Sequence, residues 1–122
     1  MNLEKFTLKA RTAVQTAYEM AKDRAHQEVE PEHLLLVLCE LRESIVPPLL
    51  KNMSVDVDAL KTSLQREISR RHRVEGANVQ VYLSSALSKA LTAAENEAAK
   101  LKDEYVSAEH LLLGVVETAS GN

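Results

Sequence analysis

Glu32-His33-Leu34-Leu35-Leu36 and Glu109-His110-Leu111-Leu112-Leu113 are the same pentapeptide, 77 positions apart. The likeness runs well beyond five residues. Sliding the chain on itself by 77 positions, without a gap, sets residues 6–43 against 83–120, and ten of the 38 aligned positions are identical. Ordinary residue usage would give about two or three. Ala13 meets Ala90, Ala17 meets Ala94, Ala21 meets Ala98, Val29 meets Val106 and Glu40 meets Glu117. The chain therefore reads as an internal duplication within one domain, residues 1–122, with repeat one over about 1–77 and repeat two over about 78–122. Nothing in the second half corresponds to residues 46–77, so repeat two is expected to be truncated.

Composition bounds the functions this chain can have. A length of 122 residues suffices for a single core without disulfides or metal. The lone Cys39 excludes an internal disulfide and reads as a small apolar residue on the buried side of a helix. Fifteen basic against 18 acidic side chains leave a net charge of -3, no footprint for nucleic acid. One phenylalanine, three tyrosines and no tryptophan argue against a base-stacking platform. The longest apolar run, residues 34–39, falls far short of a membrane span, and no basic-then-hydrophobic leader opens the chain. The expectation is a soluble cytoplasmic protein with no membrane partner.

Hydrophobic spacing predicts six helices and no strand. Ala10, Ala13, Val14, Ala17, Tyr18, Ala21 and Ala25 form a helical stripe rich in alanine, with Thr7 as N-cap and Phe6 as one half of a hydrophobic staple. Pro31 opens a second helix, almost wholly apolar over residues 34–41, of the kind that lies inside a core. Pro47 and Pro48 open a short third helix. Asp56 or Asp58 caps a fourth, with Val57, Leu60, Leu64 and Ile68 on one face. Its basic tail, Arg66, Arg70, Arg71, His72 and Arg73, reads as solvated cations complementing the helix dipole. A linker is expected over residues 75–81. Ser84 then caps a fifth helix with a buried stripe of Leu87, Ala90, Leu91, Ala94, Ala98 and Leu101. Ser107 caps a sixth bearing Leu111, Leu112, Leu113, Val115 and Val116. The fold class is all-α, built of two helical repeats related by a pseudo-twofold axis.

Catalytic chemistry finds no footing here. Gly76, Gly114 and Gly121 are isolated, so there is no glycine-rich phosphate loop and no nucleotide site. His26, His33, His72 and His110 include no pair one helical turn apart, and a single cysteine offers no metal-ligand spacing. Adjacent Glu and His on a helix point about 100° apart. Each Glu-His pair therefore reads as a helix-start device, the glutamate at the positive end of the dipole and the histidine bonded to the other repeat or a connecting loop. A small hydrolase using either pair is the catalytic alternative, with no nucleophile to support it.

Residues 1–7 (Met1-Asn2-Leu3-Glu4-Lys5-Phe6-Thr7), residues 26–36 ending in Glu32-His33-Leu34-Leu35-Leu36, and residues 103–113 (Asp103-Glu104-Tyr105-Val106-Ser107-Ala108-Glu109-His110-Leu111-Leu112-Leu113) resemble the amino-terminal domains of the Clp/AAA+ chaperone family. The opening seven residues tilt the likeness toward the protein disaggregases over the protease-partnered relatives. That resemblance implies a non-catalytic helical module, tethered to ATPase rings of a homohexamer that works with another chaperone system. It implies misfolded or aggregated proteins as partners, and ATP and Mg in those rings with no cofactor in this chain. An adaptor-docking domain of a Clp protease-associated unfoldase is the alternative. In such families two more helices follow the sixth, which fits the expected truncation.

The resemblance also implies a client-binding site. Family polar positions associated with client handling match Thr7, Asp103 and Glu109, and a pseudo-twofold would bring the start of the first helix toward the turn between the fifth and sixth. Leu8, off the buried stripe of its helix, is the apolar candidate from periodicity, joined by Ala93 and Leu111. Two positions where related domains carry a groove leucine hold Glu97 and His110 instead. A seam between the repeats, lined by apolar side chains, is where an extended client is expected to lodge. The truncation leaves Leu112, Val115 or Val116 as expected exposed apolar residues, open to dimerisation.

Overall fold

Thr7 and Ser84, 77 residues apart, start two long helices in the same way. In the computed structural model, which describes residues 3–74, 76 and 80–120, the Thr7 hydroxyl accepts the Ala10 amide at 3.1 Å and the Ser84 hydroxyl accepts the Leu87 amide at 3.0 Å. After a 3-10 turn at Leu3–Lys5, the described residues form α1 (Leu8–Asp23), β1 (Glu28–Val29), α2 (Pro31–Glu40), α3 (Val46–Asn52), α4 (Val57–Ser69), β2 (Tyr82–Leu83), α5 (Ser85–Lys100) and α6 (Ala108–Ser120). The expected linker lies partly outside these residues, since Glu75, Ala77, Asn78 and Val79 are not among them. Among the described residues no helix is long and apolar enough to cross a membrane.

The alanine stripes do what their spacing implies. Ala10, Ala13, Val14, Ala17 and Ala21 are buried on α1, and Leu87, Ala90, Leu91, Ala94 and Ala98 on α5. Both helices also end alike. Ala25 and Lys102, again 77 apart, each adopt φ 58°, and the next amide turns back, His26 to the Ala21 carbonyl at 2.8 Å and Asp103 to the Ala98 carbonyl at 2.9 Å. This is the left-handed helix stop, built without its usual glycine. Leu101, the helical C-cap residue of α5, is 60% exposed and not buried with the stripe as expected, since it stands at the helix's very end. Phe6 forms no staple, because the position it would meet holds Arg11. It is buried in the core instead.

The expectation of no strand is corrected, and the correction explains how the halves join. β1 and β2 pair in parallel, Glu28 with Tyr82 and Val29 with Leu83. A second parallel bridge joins Phe6 to Val106. Since Phe6 aligns with Leu83 and Val29 with Val106, the two pairings are images of one another. The segment before each long helix hydrogen-bonds to the loop of the opposite repeat, as a pseudo-twofold requires. Two-residue strands are too short to show an alternating pattern in sequence.

Between the long helices lie α2 and α6. His33, Leu34, Leu36, Val37, Leu38 and Cys39 are buried on α2, as its all-round apolar character predicts. On α6, Gly114 stands where α2 has Val37. A β-carbon there would lie 2.2 Å from the Ala90 carbonyl oxygen, so its absence lets α6 rest directly on the α5 backbone. On the far side of α2, Leu36 packs with Leu64 and Ile68 of α4. The matching residue Leu113 has no such cover and is 42% exposed. Of the residues expected to be bared on α6, Leu112 and Val115 are buried and only Val116 is open. Beyond α4, Arg71 is not a solvated cation: its guanidinium pairs with the carboxylates of Glu30, at 3.2 Å, and of Glu32.

Candidate functional site

Crosswise pairing brings the start of α1 against the α5–α6 turn. The Thr7 amide donates to the Val106 carbonyl at 2.9 Å, and the Val106 amide donates to the Lys5 carbonyl at 2.8 Å. Thr7 is thereby fixed beside the turn that carries Asp103. Leu8, the first residue of α1, is 72% exposed. The expected gathering of Thr7 with the turn is thus built by main-chain hydrogen bonds, and it leaves an apolar side chain uncovered beside them.

Asp103 and Glu109 are partly exposed and each has a partner. Asp103 Oδ2 lies 2.9 Å from His110 Nε2. Glu109 Oε1 accepts the Ser107 hydroxyl at 2.7 Å. His110 itself is withdrawn from the surface, its Nδ1 accepting the Ser107 amide at 2.9 Å. It orients Asp103 and offers no face to a client. Leu111 is a core residue, 1% exposed, and contributes nothing to a groove. Ala93 and Glu97 are half-buried on α5. Ala93 lines a shallow depression with Ser85, Ser88, Lys89, Thr92 and Asn96, while Glu97 meets Lys100 at 3.5 Å. Among the described residues no side-chain hydrogen bond or ion pair of these two reaches Thr7 or Asp103.

Two residues near the cluster were not among the candidates. Leu101 and Tyr105, the latter 51% exposed, stand on the same turn as Asp103. Leu101 is the C-cap residue of α5. A separate apolar furrow does lie between the repeats, lined by Pro31, Glu32 and Leu35 of the first and by Ala86, Val115, Thr118 and Ala119 of the second. None of the expected site residues lines it.

The first repeat holds the counterpart of the His110 arrangement. The Glu30 amide donates to His33 Nδ1 at 2.8 Å, and His33 Nε2 lies 3.0 Å from His26 Nδ1. Burial, then the His26 ring and the cations of Arg71 and Arg24, bring the His33 pKa down to about 4. Burial also lowers that of His26, with Arg24, Arg71 and Arg73 adding to the effect. Glu32 is engaged with Arg71, and Glu109 and His110 both bond to Ser107, so in neither copy do the neighbouring glutamate and histidine bond to each other as an acid-base dyad would. Among the described residues no group of three or more His, Cys, Asp or Glu could hold a metal ion.

Two helical repeats, clasped crosswise by short parallel pairings and each opened by a histidine-capped helix, define a Clp-type repeat module. The chain belongs to the Clp amino-terminal domain family: residues 5–122 match the profile described as the Clp repeat (R) N-terminal domain. It is similar to the chaperone protein ClpB of Bacillus cereus, 38% identical over 120 residues, which are 96% of this chain and 14% of that protein. The chain thus spans about 14% of the length of that curated relative. In fold it agrees with the Hsp104 N-terminal domain from Candida albicans, at a TM-score of 0.86 and 23% identity, over 95% of this chain and 76% of that one. It agrees also with a ClpV N-domain solved in complex with a VipB peptide, at a TM-score of 0.79 and 22% identity, over 97% and 71% of the two chains.

Proposed function

We propose that this chain is the client-recognition module of a cytoplasmic ClpB-type protein disaggregase. It binds exposed apolar segments of misfolded or aggregated proteins and passes them to ATPase rings that lie outside this chain and use ATP and Mg. The observation that carries the reading is the exposed Leu8, held beside Thr7 and the Asp103 turn by the α1–turn hydrogen bonds. Leu101 and Tyr105 add apolar area there. Burial of such area contributes about 25 cal/mol per Å² before the ordering cost of the client is subtracted. A few side chains therefore give weak, readily reversible binding, which suits transfer. To test it, a permanently unfolded model protein is titrated into labelled domain; amide shifts gathering at Thr7, Leu8 and residues 101–106, and lost in Leu8→Ser, support the proposal. Saturable binding with no shift on that face defeats it.

A second reading, adaptor docking, is favoured by the furrow between α2 and α6, a defined apolar cleft suited to one peptide rather than many. That a ClpV N-domain of similar fold has been solved in complex with a VipB peptide supports this reading. Shifts centred on Leu35 and Val115, with stoichiometric binding, would select it.

A further inference from the structure

The two repeats carry the same hydrogen-bond circuit, closed by different side chains. In each, a main-chain amide at the helix start, Glu30 or Ser107, donates to Nδ1 of the histidine three residues on. A ring nitrogen that accepts an amide hydrogen carries no proton of its own, so in the neutral ring the proton sits on Nε2. His33 Nε2 then donates to His26 Nδ1, and His110 Nε2 donates to Asp103 Oδ2. His26 and Asp103 occupy corresponding positions, 77 residues apart.

A further proton is accommodated in one circuit and not in the other. In the second repeat a proton on His110 Nδ1 would likewise displace the Ser107 amide, but Ser107 Oγ lies 2.9 Å from that nitrogen and Asp103 presents a carboxylate to Nε2, so both ring N–H groups would have an acceptor. In the first repeat, a proton on His26 Nδ1 would set two N–H groups against one another across 3.0 Å. A proton on His33 Nδ1 would displace the Glu30 amide. The surroundings are mostly cationic, although Asp23 at the end of α1 lines a second cavity with His26, Arg24 and Arg73. Arg24 at the end of α1 and Arg71 and Arg73 beyond α4 add positive charge. Glu30 and Glu32 at the start of α2 are engaged with Arg71, and Glu28 on β1 accepts the Tyr82 hydroxyl. His72 lines the same open cavity as His26, with Gln27 and Val74.

We propose that repeat one is an acid-sensitive latch: on taking up a proton, His26 turns from His33 into that cavity and frees the loop over residues 24–29, while repeat two stays closed. The bonds at stake are those of the Val74 amide to the Ala25 carbonyl, at 2.8 Å, and of the Tyr82 amide to the Gln27 carbonyl, at 3.0 Å. Both hold neighbouring segments to this loop. Val29, within this loop, and Ile68 are fully buried. Opening bares them, giving the domain an apolar surface that exists only in acid.

Amide hydrogen exchange, corrected for its intrinsic pH dependence, tests this at about pH 7 and about pH 4.5. The Val74 and Tyr82 amides are expected to lose protection at least about ten-fold more than the amides that clasp the other half, Thr7 and Val106. His26→Asp copies the second circuit into the first and removes the acid step. Asp103→His carries the step into repeat two, raising exchange at Thr7 and Val106. Equal loss of protection in both halves of the unmodified chain, or acid opening that persists in His26→Asp, overturns the proposal. Should Asp103→His fail to fold, the unmodified chain and His26→Asp decide between the outcomes.

Discussion

A β-carbon on Gly114 would stand 2.2 Å from the carbonyl oxygen of Ala90 and 3.1 Å from the β-carbon of Ala94. The nearest of these obstacles is helix backbone, which cannot rotate aside. Gly114→Ala therefore forces α6 away from α5 and is expected to destabilise the fold by roughly 3 kcal/mol, although alanine is the better helix former by about 1 kcal/mol. In urea the midpoint falls with little change in slope. An unchanged midpoint would mean that the two helices are not in this contact.

Ala25 and Lys102 hold a left-handed conformation in which a β-carbon crowds the backbone by about 1–2 kcal/mol. Glycine relieves that strain, offset in part by its freedom in the unfolded chain. Ala25→Gly and Lys102→Gly are each expected to stabilise by about 0.5–1 kcal/mol, raising the melting temperature by roughly 2–5 °C. Their capping amides use different carbonyls, those of Lys22 and Ala99, so the two gains should add.

The lowered pKa of His33 makes stability depend on pH in a defined direction. Below about 6.5 the unfolded chain protonates this histidine, whereas the folded one does so only near pH 4. The unfolded state therefore binds more protons in that window, and stability falls as pH is lowered through it. The full difference is about 3 kcal/mol, present above the unfolded value and lost by the folded one. His33→Gln keeps an acceptor for the Glu30 amide and a donor toward His26 while removing this titration. Its unfolding free energy between about pH 7 and 4.5 should fall less steeply than that of the parent chain.

Leu8 and Leu111 were grouped as client contacts, and the structure separates their consequences. Leu8→Ser changes a side chain that packs on little and should shift stability by no more than about 0.5 kcal/mol. Leu111→Ala leaves a cavity in the core and should cost about 2–5 kcal/mol. Thermal melts distinguish them, and only the first variant informs client binding directly.

What the sequence made legible was local. Thr7 and Ser84 cap their helices because a hydroxyl needs only an amide three residues on, and the alanine stripes follow from helical period alone. The fold class followed from those and from the duplication. The interior placement of Leu111 was also within reach, since Leu111 and Val115 are one turn apart on a single stripe. Other features had no local signal. Arg71 reaches Glu30 across 41 residues, and the choice among ion-pair partners is made by packing. Leu101 keeps the helical period of the stripe yet is exposed at the C-cap of α5, and periodicity does not tell where the cover over a stripe ends. The furrow depends on how α2 and α6 meet, and no single residue in it is unusual.

The pairing of Phe6 with Val106 and of Val29 with Leu83 means that each half lends its neighbour the edge on which that neighbour's first helix is hung. Neither half is a finished object. Cut from its sibling, the stretch over residues 1–77 keeps its caps and its histidine circuit yet has an unmet Thr7 amide and unmet Gln27 and Val29 carbonyls. A second molecule of the same fragment carries both missing edges, so the severed piece should satisfy itself only as a twin.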